Sequence, residues 1–315
     1  MRLFRRLSAP LALALLASSP VGAAPAMSCD RACLTRLTDQ TLTALMAGDA
    51  VAGARLTENG AEVTAAASGM TKFRALKFRH YFASPKEGAA GFHGSADEGD
   101  TMAVFSLRLK VEDARVTEIE TVIAHKGEAS LAAPEAMTQP KPVFDAMPEK
   151  ATPRAVMIAA AEAYFDGIEA ESGDKVPASP TCNRYENGVQ TTNRPGGPQS
   201  GCKGLGGFAY IERVRDRRYV LADEERGLVW GLAVFDIPGG TYPALVGTGT
   251  VKREPRSILI TELFKLDGGQ IQDIEVVMRN VPLGARDGWS PTSPLAWNET
   301  LRPSAPGEQS RGNRP

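Results

Sequence analysis

The sequence predicts an α+β protein built twice over, with helices leading and paired strands closing each of two tandem units. Three observations carry this expectation: two stretches of one-sided helical pattern, two long alternating hairpins, and an internal similarity that relates the halves in order. The 315 residues are 43% hydrophobic and 23% charged, enough to bury two ordinary cores. A net charge of −1 excludes a strongly basic nucleic-acid binder, and the composition excludes a mostly disordered or fibrous chain.

Residues 1–26 read as an export signal. Arg2, Arg5 and Arg6 form a basic start, and Leu11 to Ala17 an apolar stretch too short to span a bilayer. A small-x-small cleavage site ends at Ala23 or Ala26. Removal of the segment leaves 33 basic residues against 37 acidic ones, so the mature chain is mildly acidic. No later stretch has the ~18 consecutive apolar residues of a spanning helix. The expected location is periplasmic or secreted, with no membrane contact after cleavage. In that oxidising setting the simplest reading of the four cysteines is two local disulfides, Cys29–Cys33 and Cys182–Cys202. Zinc is the alternative, but neither pair is a CxxC and neither has a histidine nearby.

The first unit, 27–126, opens on a helix whose apolar face is Leu34, Leu37, Leu42, Leu45 and Met46, with Asp30 as its N-cap. A second helical stretch is expected to carry His80 and Tyr81. Val104–Val111 and Val116–Ile123 then alternate as a hairpin. Residues 127–150, rich in Ala, Pro and Met, read as a linker. In the second unit, 151–289, Pro153 suits the first position of a helix running to about Glu171. Arg218–Ala222 faces Leu228–Phe235 across Glu224-Glu225-Arg226-Gly227, and Ile258–Leu266 faces Ile271–Met278 across Asp267-Gly268-Gly269. The tail, 290–315, has the polar, Pro-rich composition of a disordered or surface-draped segment and contains the glycosylation pattern Asn298-Glu299-Thr300.

The internal similarity falls on specific residues. Lys110, Val116, Ile119 and Glu120 land on Lys265, Ile271, Ile274 and Glu275 at a shift of 155. Thr57-Glu58-Asn59-Gly60 lands on Tyr185-Glu186-Asn187-Gly188 at a shift of 128. The second half therefore carries 27 extra residues between these landmarks. The Gly/Pro-rich loop ending at Cys202 is where many of them are expected.

Further segments complete the pattern. They are Cys29-Asp30-Arg31-Ala32-Cys33-Leu34, Arg79-His80-Tyr81-Phe82 and Arg108-Leu109-Lys110-Val111-Glu112 in the first half. The second half has Cys182-Asn183-Arg184-Tyr185-Glu186-Asn187-Gly188-Val189-Gln190-Thr191-Thr192-Asn193, Arg213–Tyr219 and Asp223–Val229. With helices leading and long antiparallel strands following, the chain resembles a tandem NTF2-like (SnoaL-like) cone-fold protein. Over residues 29–289 it resembles the exported DUF8021 family, a domain of unknown function. The resemblance implies two curved antiparallel sheets, each with a pocket under its helices, and halves that pack as an intramolecular pseudo-dimer. It implies no cofactor: many enzymes of this fold are lyases, isomerases or dehydratases that use a tuned Asp, Glu, His or Tyr, and other members only bind ligands.

The polar residues expected at such a pocket concentrate in the second unit, because the first has only Ala61-Glu62 where the second has Val189–Asn193. Glu186 is the candidate base, Arg184 its guanidinium partner, and Asn187 a hydrogen-bond donor to substrate, with Arg217 as a further catalytic cation. Tyr185, Arg213, Arg218, His80 and Tyr81 are candidate ligand-binding residues. Plainer readings compete: Asn187-Gly188 is a turn dipeptide, and the arginine run can pair with Asp223, Glu224 and Glu225. His93 lies in a Gly-flanked segment and His125 is expected to be exposed. With three histidines, none at ligand spacing from another donor, no metal site is expected. Nucleophile elbows, P-loops and dinucleotide fingerprints are absent. The sequence thus points to an exported small-molecule-binding protein, catalytic or not. The alternative is a non-catalytic periplasmic ligand-binding or assembly protein, and further homo-oligomerisation is left open.

Overall fold

The computed structural model describes residues 29–127, 133–137, 139–195, 200–244 and 248–290. The expected export signal, most of the expected tail and its Asn298 pattern lie outside these residues. In the first half, α1 (Arg31–Ala47) is followed by β1 (Arg55–Glu58), β2 (Ala61–Glu62), β3 (Ala75–Ser84), β4 (Ala89–Glu98), β5 (Thr101–Glu112) and β6 (Arg115–His125). Asp30 caps α1 by accepting from the Cys33 amide at 2.8 Å, a contact worth about 1 kcal/mol. Gly48 ends the helix at φ 79°, in the left-handed region that glycine adopts without strain. Leu34, Leu42 and Leu45 are buried against the sheet, and Leu37 and Met46 pack at the margin. The disulfide Cys29–Cys33 fastens the first turn.

One element differs from expectation. His80 and Tyr81 lie on strand β3, not on a helix. Phe78, His80 and Phe82 turn to one face of that strand and Arg79 and Tyr81 to the other, a period of two that no helix matches.

In the second half, α2 (Pro142–Asp145) and α3 (Arg154–Glu169) precede β7 (Ala178–Glu186), β8 (Val189–Gln190), β9 (Arg213–Asp223), β10 (Leu228–Ile237), β11 (Gly240–Pro243), β12 (Thr250–Arg253), β13 (Arg256–Asp267) and β14 (Gln270–Val281). Pro153 stands at the N-cap of α3, one residue before the position expected of it. Cys182–Cys202 closes the second disulfide. The sheet orders are β2-β1-β6-β5-β4-β3 and β8-β7-β14-β13-β10-β9, so the units share one topology, including a single parallel pairing, β1 with β6 and β7 with β14.

Strand registers locate the insertion. His80 pairs with His93 and His93 with Ser106, while Arg218 pairs with Leu232 and Leu232 with Thr261. His80 therefore corresponds to Arg218, and His93 to Leu232. The shift grows by 10 before β9 and by 16 between β10 and β13. The β11–β12 excursion holds most of the extra residues, and the stretch that contains the Gly/Pro-rich loop holds 10 of them.

Each sheet has two packed faces. α1 covers Phe92, Phe105, Leu107 and Ile119 in the first unit, and α3 covers Val229, Phe235, Phe264 and Ile274 in the second. The opposite faces meet each other. There Phe82, Phe144, Leu228, Trp230, Leu232 and Leu263 form one apolar cluster, and Phe78, Val104, Val122, Val234, Leu259 and Val277 another. Each large apolar side chain removed from water in this seam contributes about 1.5–3 kcal/mol. Residues 139–150, expected as a plain linker, add Phe144 to the seam, fully buried 5.4 Å from the His80 ring.

Candidate functional site

The helix-covered interior of the second unit holds a buried polar group in an otherwise apolar core. Along β13, Ile258, Ile260, Phe264 and Leu266 point at α3, and Glu262 shares their face. From β7, Arg184 reaches the same space. Its Nε donates to Glu186 Oε1 at 2.6 Å and its Nη1 to the Tyr164 hydroxyl at 2.7 Å. Thr191 also donates to Glu186, at 3.3 Å, and the Phe208 ring lies 4.8 Å over the guanidinium. Burial opposes the charge of Arg184, but its hydrogen bond to Tyr164 and the charge of Glu186 hold it firmly cationic. Glu262 goes the other way. Burial, reinforced by the charge of Glu186 and only partly offset by Arg184, pushes its carboxyl up to about 8. Its Oε2 is buried with no hydrogen-bond partner among the described residues.

This arrangement brings two of the four expected catalytic residues together, Arg184 and Glu186. It does not bring in Asn187. That side chain is buried and grips the main chain of β14, with Nδ2 donating to the Met278 carbonyl and Oδ1 accepting from the Met278 amide, both at 2.9 Å. Asn59, 128 positions before Asn187, accepts in the same way from the amide of Ile123, 155 positions before Met278. At φ 45° and 87°, Asn187 and Gly188 make the tight turn that only such residues adopt without strain. Arg217 lies elsewhere again, clamping β9 to α3 through Glu162, Asp166 and Glu169 at 2.6–3.0 Å.

The expected binding residues are scattered. Arg213 shares Asp236 with Arg215. Arg218 crosses between units to Glu120 and also holds Asp287, each at 2.6 Å. Tyr185 faces away from the interior, under the Lys141 ammonium. Tyr81 donates to Asp39 of α1 at 2.5 Å. His125, expected to be exposed, is largely covered and sits 2.6 Å from Glu98.

His80 belongs to a second buried group, in the seam between the sheets. Its Nδ1 lies 2.7 Å from Glu275 Oε2, and His93 Nδ1 lies 2.8 Å from the same oxygen. Sequence spacing hid this convergence, because β3, β4 and β14 bring together residues up to 195 positions apart. Burial would raise the Glu275 carboxyl, yet His80 and His93 outweigh it and hold the group well below the usual carboxylate range. Burial also lowers His93, favouring its neutral ring despite Glu275. Two cavities of about 10 Å³ flank the seam, one bounded by Glu120 and Arg218 and the other by Glu275 and Tyr185.

Residues that the sequence reading missed carried signals. Glu262 interrupts an alternating apolar row on its own strand, and Glu275 was already aligned with Glu120 by the repeat. Tyr164 had no signal beyond its place on a helix.

Comparison with known families adds one match. Residues 150–278 match DUF8021, a domain of unknown function. The DUF8021 segment contains Tyr164, Arg184, Glu186, Glu262 and Glu275 and excludes both seam histidines. The resemblance expected from residue 29 onward is thus matched over the second unit. No curated protein matches the chain in sequence. Among solved structures, a proposed polyketide cyclase from Silicibacter sp. TM1040 is 15% identical, covering 39% of this chain and 88% of that one at a TM-score of 0.29. A second, from Xanthomonas campestris pv. campestris, is 14% identical over 39% of this chain and 90% of that one, with a TM-score of 0.28. An LEH-like epoxide hydrolase from M. tuberculosis is 13% identical over 39% and 83%, with a TM-score of 0.26. Among the described residues, no helix is long and apolar enough to cross a membrane.

Proposed function

We propose that this is an exported protein whose second unit binds a small molecule between α3 and its sheet and exchanges a proton with it, without a cofactor. The reaction class is that of a lyase, isomerase or dehydratase. One observation carries the reading: Glu262, fully buried with an unpartnered oxygen and a carboxyl near 8, stands in a core where an apolar residue would be more stable. A carboxylic acid that keeps its proton at neutral pH is a general acid. Beside it, Arg184 is a fixed cation and Tyr164 a hydroxyl donor, suited to an oxygen on which negative charge develops. Glu186 takes the role of holding Arg184 rather than that of the base. Phe208 roofs Arg184, so ligand entry requires that ring to swing aside.

The test is a thermal-shift screen of small carboxylic, hydroxy and aromatic acids against the mature chain, followed by Glu262→Gln. A ligand that raises the melting temperature of the wild type and loses at least tenfold in affinity in the variant supports the site. Undiminished binding by Glu262→Gln overturns it. A filled interior favours a second reading, a non-catalytic assembly protein: neither cavity beside the seam is lined by Arg184, Glu186 or Glu262. A screen in which no compound binds sustains that one. Export is tested separately by sequencing the mature N-terminus, which should begin after Ala23 or Ala26.

A further inference from the structure

The seam cluster lies on the face of the second sheet opposite the proposed ligand site. We propose that His80, His93 and Glu275 form a binding site for one divalent transition-metal ion of the zinc class, shared between the two units.

The donor atoms are already gathered. Two imidazole nitrogens stand 2.7 and 2.8 Å from one carboxylate oxygen, and all three atoms lie within 4.8 Å of one another. Tetrahedral zinc holds N and O ligands about 2.1 Å away, hence about 3.4 Å apart, a spacing inside that range. Two imidazoles with one carboxylate suit zinc, cobalt or nickel, whereas magnesium and calcium take oxygen ligands.

The surroundings of the cluster are mostly apolar. His93 is fully buried, and its Nε2 has no partner among the described residues, so hydrogen bonding to Glu275 leaves the ring half satisfied. That orphan lies across the ring from the Nδ1 that faces Glu275, so it leaves the His93 ring free of a hydrogen bond on its far side and is not itself a ligand atom of the ion. Phe82 and Trp230 stand edge-on to the His93 ring at 5.2 and 5.7 Å, and Phe144 lies 5.4 Å from His80. This dry wall strengthens any attraction between the carboxylate and a cation. Beside Glu275, a cavity of about 10 Å³ that neither histidine lines has room for one water.

Binding transfers no electrons. Each imidazole donates its Nδ1 lone pair, the proton formerly there moving to Nε2 or to solvent, and the carboxylate donates an oxygen lone pair. With ligands on β3 and β4 of one unit and β14 of the other, the ion ties the halves together.

The test uses the untagged mature chain, stripped with a chelator and titrated with cobalt, zinc and magnesium chlorides. One equivalent of Co²⁺ should bind with the visible absorption of four-coordinate cobalt, and Zn²⁺ should displace it. Zinc should raise the melting temperature by several degrees, and Mg²⁺ should not. Glu275→Gln and His93→Gln should each weaken cobalt binding by about a hundredfold or more, since even partners outside the ligand shell are worth about 10- to 100-fold. His125→Gln should leave it unchanged. If the seam variants do not fold, X-ray absorption at the zinc edge of the wild type decides: two imidazoles and no sulfur are expected. No binding of one equivalent, a shell without two imidazoles, or binding lost in His125→Gln overturns the proposal.

Discussion

Replacing Glu262 by Gln keeps the shape of the side chain and removes its proton equilibrium. In the folded protein the carboxyl titrates near 8, against an ordinary value of 4.5. A raised carboxyl contributes stability that is complete below 4.5 and lost as pH rises toward 8, because the unfolded chain releases a proton that the folded chain keeps. At about 1.4 kcal/mol per pH unit, the wild type should lose roughly 0.7 kcal/mol by pH 5 and roughly 3 kcal/mol by pH 7 relative to the variant. The Gln amide has its own cost if its NH₂ finds no acceptor, but that cost does not depend on pH. Asp273, lifted by burial to about 6, titrates in both proteins and cancels in the difference. Urea unfolding at pH 5, 6, 7 and 8 gives the comparison. The stability of Glu262→Gln relative to wild type should climb steadily across that range, worth roughly 6 °C in melting temperature by pH 7. Parallel curves would refute the claim that Glu262 is held protonated by its surroundings.

Dithiothreitol should lower the melting temperature, with the loop closed by Cys182–Cys202 contributing roughly 3 kcal/mol; an unchanged melt would argue for free thiols. Asn187→Ala removes both contacts with Met278 and puts at positive φ a residue that tolerates the left-handed region less well than Asn, so it should cost about 2–3 kcal/mol in urea unfolding. A loss under about 0.5 kcal/mol would show that the turn does not depend on it. Arg217→Ala should cost about 1 kcal/mol by loosening α3 from β9, its acid partners being partly solvated. It should leave ligand affinity alone, and a tenfold fall in affinity would return Arg217 to the site.

Much of the fold was legible because local pattern and tertiary role agree. Leu34, Leu42 and Leu45 bury the face their spacing marks, and the Asp267-Gly268-Gly269 hairpin turns where such residues turn. The duplication could be read from Asn59 and Asn187 because both do the same mechanical work, one on β6 at Ile123 and the other on β14 at Met278. The site was less legible, for a physical reason. Arg184 and Glu186 sit two apart on one strand and could be paired by eye, whereas Glu262 and Tyr164 join them only through sheet curvature and helix packing. The convergence of His80 and His93 on Glu275 needed the second sheet to be laid over the first. Reading His80 into a helix lost even the pairing of β3 with β4, which alone sets the two histidines side by side.

The crossed contacts of the seam say something about how such a chain can arise. Glu120 of the first unit meets Arg218 of the second, while Glu275, its counterpart, meets His80, the counterpart of Arg218. The two contacts are thus one contact used twice, as in a homodimer about a twofold axis. Two copies of the second unit docked about that axis would set Glu275 against Arg218 at both ends, with no histidine required. Covalent linkage thus lets the two ends differ in chemistry, one a histidine contact and the other an ion pair that holds the halves in register.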